Sequence, residues 1–184
     1  MSRFLALALA LCVLAPASTV HADQNDAKLD VLFARLQQAN DHSEAMDIEQ
    51  AIWTAWIRHD DDEINKLMSV GIEAMNAGSL KLSILAFGDI IRTDPAYAEG
   101  WNKRATAYYL MERYEESVLD IQQTLKLEPR HFGALSGLGL IYMAIGKDEA
   151  ALSVWEKALS INPQMLGIRE RVRELRKKFR GEPA

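Results

Sequence analysis

Apolar residues recur at helical spacing along most of the chain, and one arrangement of large and small residues returns every 34 residues. Apolar positions three and four apart predict amphipathic helices. The clearest marker of the period is a proline that closes each unit, at Pro95, Pro129 and Pro163. A fixed period of this length is typical of stacked helical hairpins, so the pattern predicts an all-α solenoid.

Three units share the period, at residues 64–95, 98–129 and 132–163. Each contains two helical stretches of opposite direction, joined by a short turn. The eighth position holds Gly71, Ala105 and Gly139, and the twenty-fourth holds Phe87, Ile121 and Trp155. A small residue lets two helices approach where they cross, and a large one fills the flanking space. We therefore predict a small-to-large contact inside each unit.

The turn of the middle unit departs from this pattern. Gly78 and Gly146 stand at the end of the first helix in the outer units, where the middle unit has Glu112. Glycine adopts the left-handed conformation of a helix end without steric penalty. We therefore expect the turn at Glu112 to be strained or differently capped.

The repeat resembles the tetratricopeptide repeat (TPR) family. The resemblance rests on the period and on two motifs: W-x2-R-A-x2-Y at Trp101, Arg104, Ala105 and Tyr108, and L-x2-L-G-x2-Y at Leu135, Leu138, Gly139 and Tyr142. It covers residues 64–163 strongly and 28–58 weakly. It implies stacked antiparallel helix pairs that form a right-handed superhelix with a concave face.

The three repeats, together with the short acidic stretch that precedes them, occupy residues 60–163. A helical segment lies on each side of this region. Residues 23–59 carry two amphipathic stretches without the closing proline, and we interpret them as a degenerate N-terminal helical pair that forms an extra unit or a cap. Residues 164–184 form a basic capping helix and tail, with an apolar stripe of Ile168, Val172, Leu175 and Phe179. The alternative for this helix is a weak contact with an acidic surface.

Residues 1–22 have the three-part pattern of a cleaved signal peptide. Arg3 precedes an apolar run at residues 4–15, and small side chains follow near Ala22. The run is shorter than the roughly 20 residues of a membrane anchor, and Leu11 disfavours a lipoprotein signal at Cys12. We expect an exported protein of bacterial type, located in the periplasm, whose mature chain lacks cysteine.

Composition narrows the function classes further. The net charge of −5 argues against a nucleic-acid partner, and we expect no transmembrane helix beyond the signal. His42, His59 and His131 lack the spacing of a metal site, and no serine lies in a G-x-S-x-G motif. We therefore predict a non-catalytic protein without a cofactor or metal.

The resemblance implies that the first helix of each unit lines a concave groove that binds a peptide or a helix. Ten residues are predicted to face this groove: Met68, Ile72, Met75, Asn102, Lys103, Thr106, Tyr109, Ser136, Leu140 and Met143. One TPR subclass grips a C-terminal carboxylate with lysine and asparagine, but Met68 and Ile72 occupy those positions here. That departure argues against a dicarboxylate clamp.

The predicted function is a protein–protein interaction module, an adaptor or scaffold, in the bacterial cell envelope. A structural, self-associating envelope protein is the first alternative. An accessory subunit of an enzyme complex is the second. The partner is a protein or peptide whose identity the sequence does not contain, because a fold alone does not specify a ligand.

Overall fold

The computed structural model describes residues 27–181, and the predicted signal peptide lies outside them. Within this part the chain forms nine α-helices joined by short turns. They are α1 (Ala27–Gln38), α2 (His42–Ile57), α3 (Asp62–Asn76), α4 (Leu80–Thr93), α5 (Ala98–Leu110), α6 (Tyr114–Leu127), α7 (Phe132–Ala144), α8 (Asp148–Ile161) and α9 (Leu166–Arg180). The architecture is the predicted solenoid: α3 pairs with α4, α5 with α6 and α7 with α8, and each pair packs on the next.

Inside the outer repeats, a glycine of the first helix faces an aromatic ring of the second. A Cβ atom added at Gly71 would overlap the ring of Phe87, and one added at Gly139 would overlap the indole of Trp155. Both rings are completely buried. The helices approach this closely only because the glycines carry no side chain. The predicted small-to-large contact is therefore confirmed.

The turn inside the middle repeat carries backbone strain that the outer repeats avoid. Gly78 and Gly146 adopt φ angles of 74° and 71°, and Glu112 adopts φ 58° in the corresponding turn. A left-handed conformation is unfavourable by roughly 1–2 kcal/mol for a residue with a Cβ atom. The expected strain at Glu112 is confirmed.

The last helix packs an apolar stripe on the end of the stack. Ile168, Val172 and Leu175 are buried in one cluster with Trp155 of α8. Phe179, which the sequence placed on the same stripe, is 45% exposed. The buried stripe therefore ends one helical turn before α9 does.

The helices α1 and α2 and the link to His59 form a substructure with its own small core, called the N-terminal hairpin here (residues 27–59). Leu29, Leu36, Ile48 and Ile52 are buried between the two helices. These apolar positions have the helical spacing seen in the sequence. The same cluster includes Phe132 of α7, so part of the apolar surface of the hairpin is buried against the repeats.

The interpretation of residues 23–59 as an extra stacked unit needs one correction, because the hairpin lies beside the stack. The outer face of α3, on which a preceding repeat would pack, carries the exposed residues Lys66 and Glu73. The residues 34 positions later, Gly100 and Ala107, are buried, and Gly100 lies against Ile90 of α4. Stacking a repeat on α3 would remove these charged side chains from water, which is unfavourable.

Candidate functional site

The N-terminal hairpin runs along one edge of the stack, over the three turns that lead out of the repeats. Each turn begins with a residue in the same register, Asp94, Glu128 or Asn162. In each turn this side chain accepts a hydrogen bond from the backbone N–H two residues later, at 2.8, 2.8 and 3.1 Å respectively. The three turns therefore share one local structure, although their side chains differ.

At the two outer turns, the same side chain also contacts the hairpin. His59 Nε2 lies 3.1 Å from Asp94 Oδ2 at the first turn. Asn162 Nδ2 donates a hydrogen bond to Glu49 Oε2 of α2, at 2.9 Å, at the third. A helix of this length spans about 24 Å, at 1.5 Å per residue, so α2 reaches from the first turn to the third.

At the middle turn an arginine bridges the repeats and the hairpin. Arg130 lies 3.1 Å from Glu128 and 2.6 Å from Asp30 of α1. Its guanidinium also lies over the ring of Phe33, 4.4 Å from the ring centroid. Bidentate and stacked contacts of this kind suit the planar guanidinium. Every turn is therefore tied to the hairpin by a polar contact.

An aromatic seam lies between these polar contacts. The ring of Trp56 stacks on His131 at 4.1 Å, with the planes 8° apart, and both residues are buried. Trp53 meets Phe132 edge to face, at 5.6 Å. Gly133 makes room for this approach, because a Cβ atom there would lie 2.5 Å from Trp53 Cη2. The tryptophans of α2 therefore dock on the N-terminal end of α7.

A buried charge cluster lies under the seam. Glu99, which is 1% exposed, has Oε2 2.9 Å from His131 Nε2 and Oε1 3.0 Å from Lys103 Nζ. Asn102 Nδ2 donates to Glu99 Oε2 at 3.1 Å. Burial raises the pKa of Glu99, but Lys103 and His131 outweigh it and hold that pKa below its ordinary value. The carboxylate is therefore ionised and paired at neutral pH.

Three of the ten predicted groove residues are held in these interactions or in the core. Met68 is buried with Ile64 and Phe87 in the core of the first repeat. Asn102 is buried beside Glu99, and Lys103 pairs with that carboxylate while its Nζ lies 5.4 Å from the Trp53 ring centroid. Met68 is therefore a correction to the predicted set. Asn102 also borders the cavity described below, and the roles of Asn102 and Lys103 in binding stay predictions. Of the groups that hold these two residues, Glu99 belongs to α5 and Trp53 to the hairpin.

Three further predicted residues lie at the two ends of the concave face. Ile72 and Met75 are half-buried in α3, and Ile72 packs on the core of the first repeat. Met143 is half-buried beside Trp155 and Val172, in the cluster under α9. None of these three lines the cavity described next, so their role in binding stays a prediction.

The remaining four residues come together between α5 and α7. Thr106, Tyr109, Ser136 and Leu140 line a cavity of about 270 Å³, with the two helices as its walls. Gly137 of α7 also borders this space, with only Ile121 near its missing side chain. The register of the repeats therefore places these four residues around one cavity, and their role in binding stays a prediction.

Leu140 also lines a second cavity, of about 540 Å³, between α2, α7 and α9. Met46, Gln50 and Trp53 form its α2 wall, and Arg171 contributes from α9. Leu140 borders both cavities, which are together called the cleft here. The repeat pattern did not indicate this α2 wall. The sequence feature that could have indicated it is Met46, a large apolar residue that lies off the buried stripe of α2 and is 56% exposed.

Residues 27–181 contain neither a membrane-spanning helix nor a cluster of metal-binding side chains. No helix in this part of the chain combines the length and apolar character that a bilayer-spanning segment requires. In the same part, histidine, cysteine and carboxylate side chains do not gather in a group of three that could hold a metal ion.

The chain is similar to several known proteins. The family model for the tetratricopeptide repeat matches residues 133–165. A TPR repeat-containing protein of Rhizobium etli is 36% identical over 154 residues, which cover 84% of this chain and 76% of the relative.

Two solved structures show the same fold. A crystal structure of MamA has a TM-score of 0.60 and 19% identity, over 81% of this chain and 84% of that one. The first TPR domain of Spaghetti (RPAP3), bound to an HSP90 peptide, has a TM-score of 0.61 and 20% identity, over 65% of this chain and 95% of that one. By its repeats, and by its long match to the Rhizobium protein, the chain belongs to the tetratricopeptide repeat family.

Proposed function

We propose that this protein is a non-catalytic interaction module that binds an extended peptide in the cleft. The observation that carries the proposal is the cleft itself, where four predicted groove residues line one cavity and Leu140 borders the other together with Met46 and Trp53 of α2. A concave site with an apolar floor and a few polar groups is typical of ligand binding. The RPAP3 domain, which shares the fold, is bound to a peptide in its solved structure.

The composition of the cleft favours an extended peptide over a helix. Leu140 and Trp53 offer apolar contacts for alternate side chains, and the hydroxyl groups of Ser136 and Tyr109 stand beside them. A peptide in extended conformation presents unpaired backbone groups, which such polar side chains can bind. A helix would bring no free backbone groups, and α2 already occupies the edge of the concave face.

The binding experiment begins with selection of peptides on the immobilised protein from a random library. Their dissociation constants are then measured by fluorescence anisotropy. We expect Leu140→Ala and Tyr109→Ala to weaken binding at least tenfold. Leu119→Ala is the matched control, because Leu119 lies on α6 and is 60% exposed, away from the cleft. Equal affinity for all variants would contradict the proposal.

We also propose that the protein acts in the bacterial cell envelope, in the periplasm. The support is the charge, apolar run and small residues of residues 1–22. Fractionation of cells that produce the full chain, with N-terminal sequencing of the product, tests this. We expect a periplasmic product that begins at Asp23, and an unprocessed cytoplasmic product would contradict the location.

A second candidate function is self-association through the outer face of the stack. Leu85 and Leu119, in the same register of successive repeats, are 64% and 60% exposed. Sedimentation at several concentrations tests this, and a monomer throughout would exclude it. Contact of the basic face of α9 with an acidic surface also stays a prediction.

A further inference from the structure

Two buried histidines hold the N-terminal hairpin, and both have the same hydrogen-bonding arrangement. His59 Nδ1 accepts the backbone N–H of Asp61 at 3.0 Å, and its Nε2 lies 3.1 Å from Asp94. His131 Nδ1 accepts the backbone N–H of Ala134 at 3.1 Å, and its Nε2 lies 2.9 Å from Glu99. Both rings therefore lie between a backbone donor and a carboxylate.

This arrangement specifies the neutral imidazole in both residues. A backbone N–H can only donate, so each Nδ1 must present a lone pair. The ring proton then resides on Nε2, which donates to the carboxylate. A second proton on either ring would face the N–H of Asp61 or Ala134 and would break that hydrogen bond.

The charged groups around His131 have opposite effects on the binding of a second proton to its ring. Glu99 of α5 attracts it. Lys103 of the same helix repels it, and so does the N-terminus of α7, where His131 is the capping residue and the helix dipole is positive. From the hairpin, Trp56 covers the ring face and leaves the ring no exposed surface. An imidazolium here would be desolvated and would lack one hydrogen-bond acceptor, so the docked hairpin favours the neutral ring.

More carboxylates lie near His59 than near His131, but the ring makes the same two hydrogen bonds. Asp94 faces the ring from the turn after α4, and Asp60 and Asp61 precede α3. These carboxylates attract a proton. The Tyr97 ring packs edge-on at 5.0 Å, and the amide of Asn65 binds the backbone N–H and C=O of His59 at 3.0 and 2.6 Å. The link is therefore rigid, and the ring cannot turn to give Nδ1 another partner without disturbing it.

We propose that the N-terminal hairpin is a latch that undocks from the repeat stack in mild acid, when His59 and His131 gain a second proton. With a single proton on each imidazole, both hydrogen bonds of each ring are kept and the hairpin stays docked. Between about pH 7 and pH 5, where a solvated imidazole takes up a proton, the undocked form gains stability because its rings can protonate freely. Loss of the Glu99 charge at still lower pH acts in the same direction.

Undocking would change the cleft directly, because α2 supplies Met46, Gln50 and Trp53 to one wall. This consequence rests on the proposed peptide binding, whereas the latch itself does not. If the cleft binds peptide at neutral pH, the peptide should be released in the range in which the hairpin opens. Undocking would also expose the aromatic seam, including Trp56 and Phe132.

Hydrogen exchange measured by mass spectrometry tests the latch without any peptide. Protection factors, corrected for the intrinsic pH dependence of exchange, are compared for the full chain at pH 7.4 and pH 5.0. We expect protection in α2 to fall at least tenfold at pH 5.0, while protection in α6 changes less than twofold. Unchanged protection in α2, or an equal loss in both helices, would overturn the proposal.

Variants then assign the response to the two rings. The double variant His59→Asn, His131→Asn keeps an acceptor for each backbone N–H but cannot titrate, so we expect its α2 protection to be the same at both pH values. His42→Asn removes an exposed histidine of α2 and should keep the full acid response. A full response in the double variant would overturn the assignment.

Circular dichroism verifies that the double variant folds. If the double variant does not fold, the wild-type protein still tests the latch. NMR of the two histidine rings across the same pH range must then show that they protonate as α2 loses its protection. Peptide affinity is measured separately at pH 7.4. No binding there would contradict the proposed function and leave the latch standing, whereas binding with no acid-induced undocking would contradict the latch alone.

Discussion

The repeat stack and the N-terminal hairpin both pack a tryptophan against a glycine of α7, yet different forces hold them. Gly139 faces Trp155 inside the third repeat, and the ring is completely buried among apolar side chains. Gly133 faces Trp53 of the hairpin, beside the buried Glu99 and His131. The contact inside the third repeat therefore depends mainly on shape, whereas the hairpin contact lies among hydrogen-bonded charged groups. This difference is the reason for the proposed sensitivity of docking to pH.

The largest effect is expected in the stack, at Trp155. Trp155→Ala should lower the free energy of unfolding by about 3–5 kcal/mol, because it leaves a large cavity. Trp101→Ala should cost less, about 1–3 kcal/mol, since Trp101 is only half-buried. Urea denaturation of both variants measures this, and equal losses would show that burial does not govern the stack.

The next effect concerns charge in the seam. Because the pKa of Glu99 is held below its ordinary value, its stabilising effect is present above about pH 4.5 and is lost as pH falls below that. Glu99→Gln should therefore lower stability by about 1–3 kcal/mol at pH 7 and flatten the loss between about pH 5 and 3. Urea denaturation across this range checks it. A variant with the same pH profile as the wild type would contradict this.

A smaller effect separates docking from folding. Gly133→Ala should weaken hairpin docking by about 1–2 kcal/mol, because its Cβ atom would press on Trp53. Gly137→Ala, on the same helix, is the matched control, since its Cβ would make only an ordinary contact with Ile121 at 3.9 Å. Hydrogen exchange in α2 is the readout. Equal protection in the two variants would mean that the seam tolerates overpacking.

The smallest effect is a gain of stability at the strained turn. Glu112→Gly should raise the free energy of unfolding by up to about 1 kcal/mol, because glycine relieves the positive φ. Gln122→Gly, at an exposed position inside α6, should lower it by about 1 kcal/mol. Thermal unfolding distinguishes the two. A loss of stability in Glu112→Gly would show that its side chain contributes more than its backbone costs.

The period made the stack predictable from the sequence. Gly71 and Gly139 occupy the repeat position where two helices cross and a small residue is needed. Glu112 occupies the turn position where the backbone is left-handed. The position of each residue within the repeat was therefore sufficient to predict its environment. The closing prolines fixed the register of the units. Thr106, Tyr109, Ser136 and Leu140 followed from the same register, because the concave positions repeat with the helices.

The docking of the hairpin could not be predicted in this way. Some of its contacts join residues more than 100 positions apart, such as Glu49 and Asn162, and no period relates them. Met68 was assigned to the groove because helical register alone does not show which positions of the first helix are buried in the core. The polar outer face of α3, with Lys66 and Glu73, was the available signal that no unit stacks there.

The three turns along the stack have one backbone structure but offer the hairpin three different chemical groups. Asp94 meets an imidazole, Glu128 acts through an arginine, and Asn162 donates an amide hydrogen to a carboxylate. Identical turns would let the hairpin shift by one repeat and dock equally well. With these groups, such a shift would bring Glu49 to Glu128, and the two carboxylates would repel. Variation among otherwise equivalent turns thus gives a repetitive surface a single docking register.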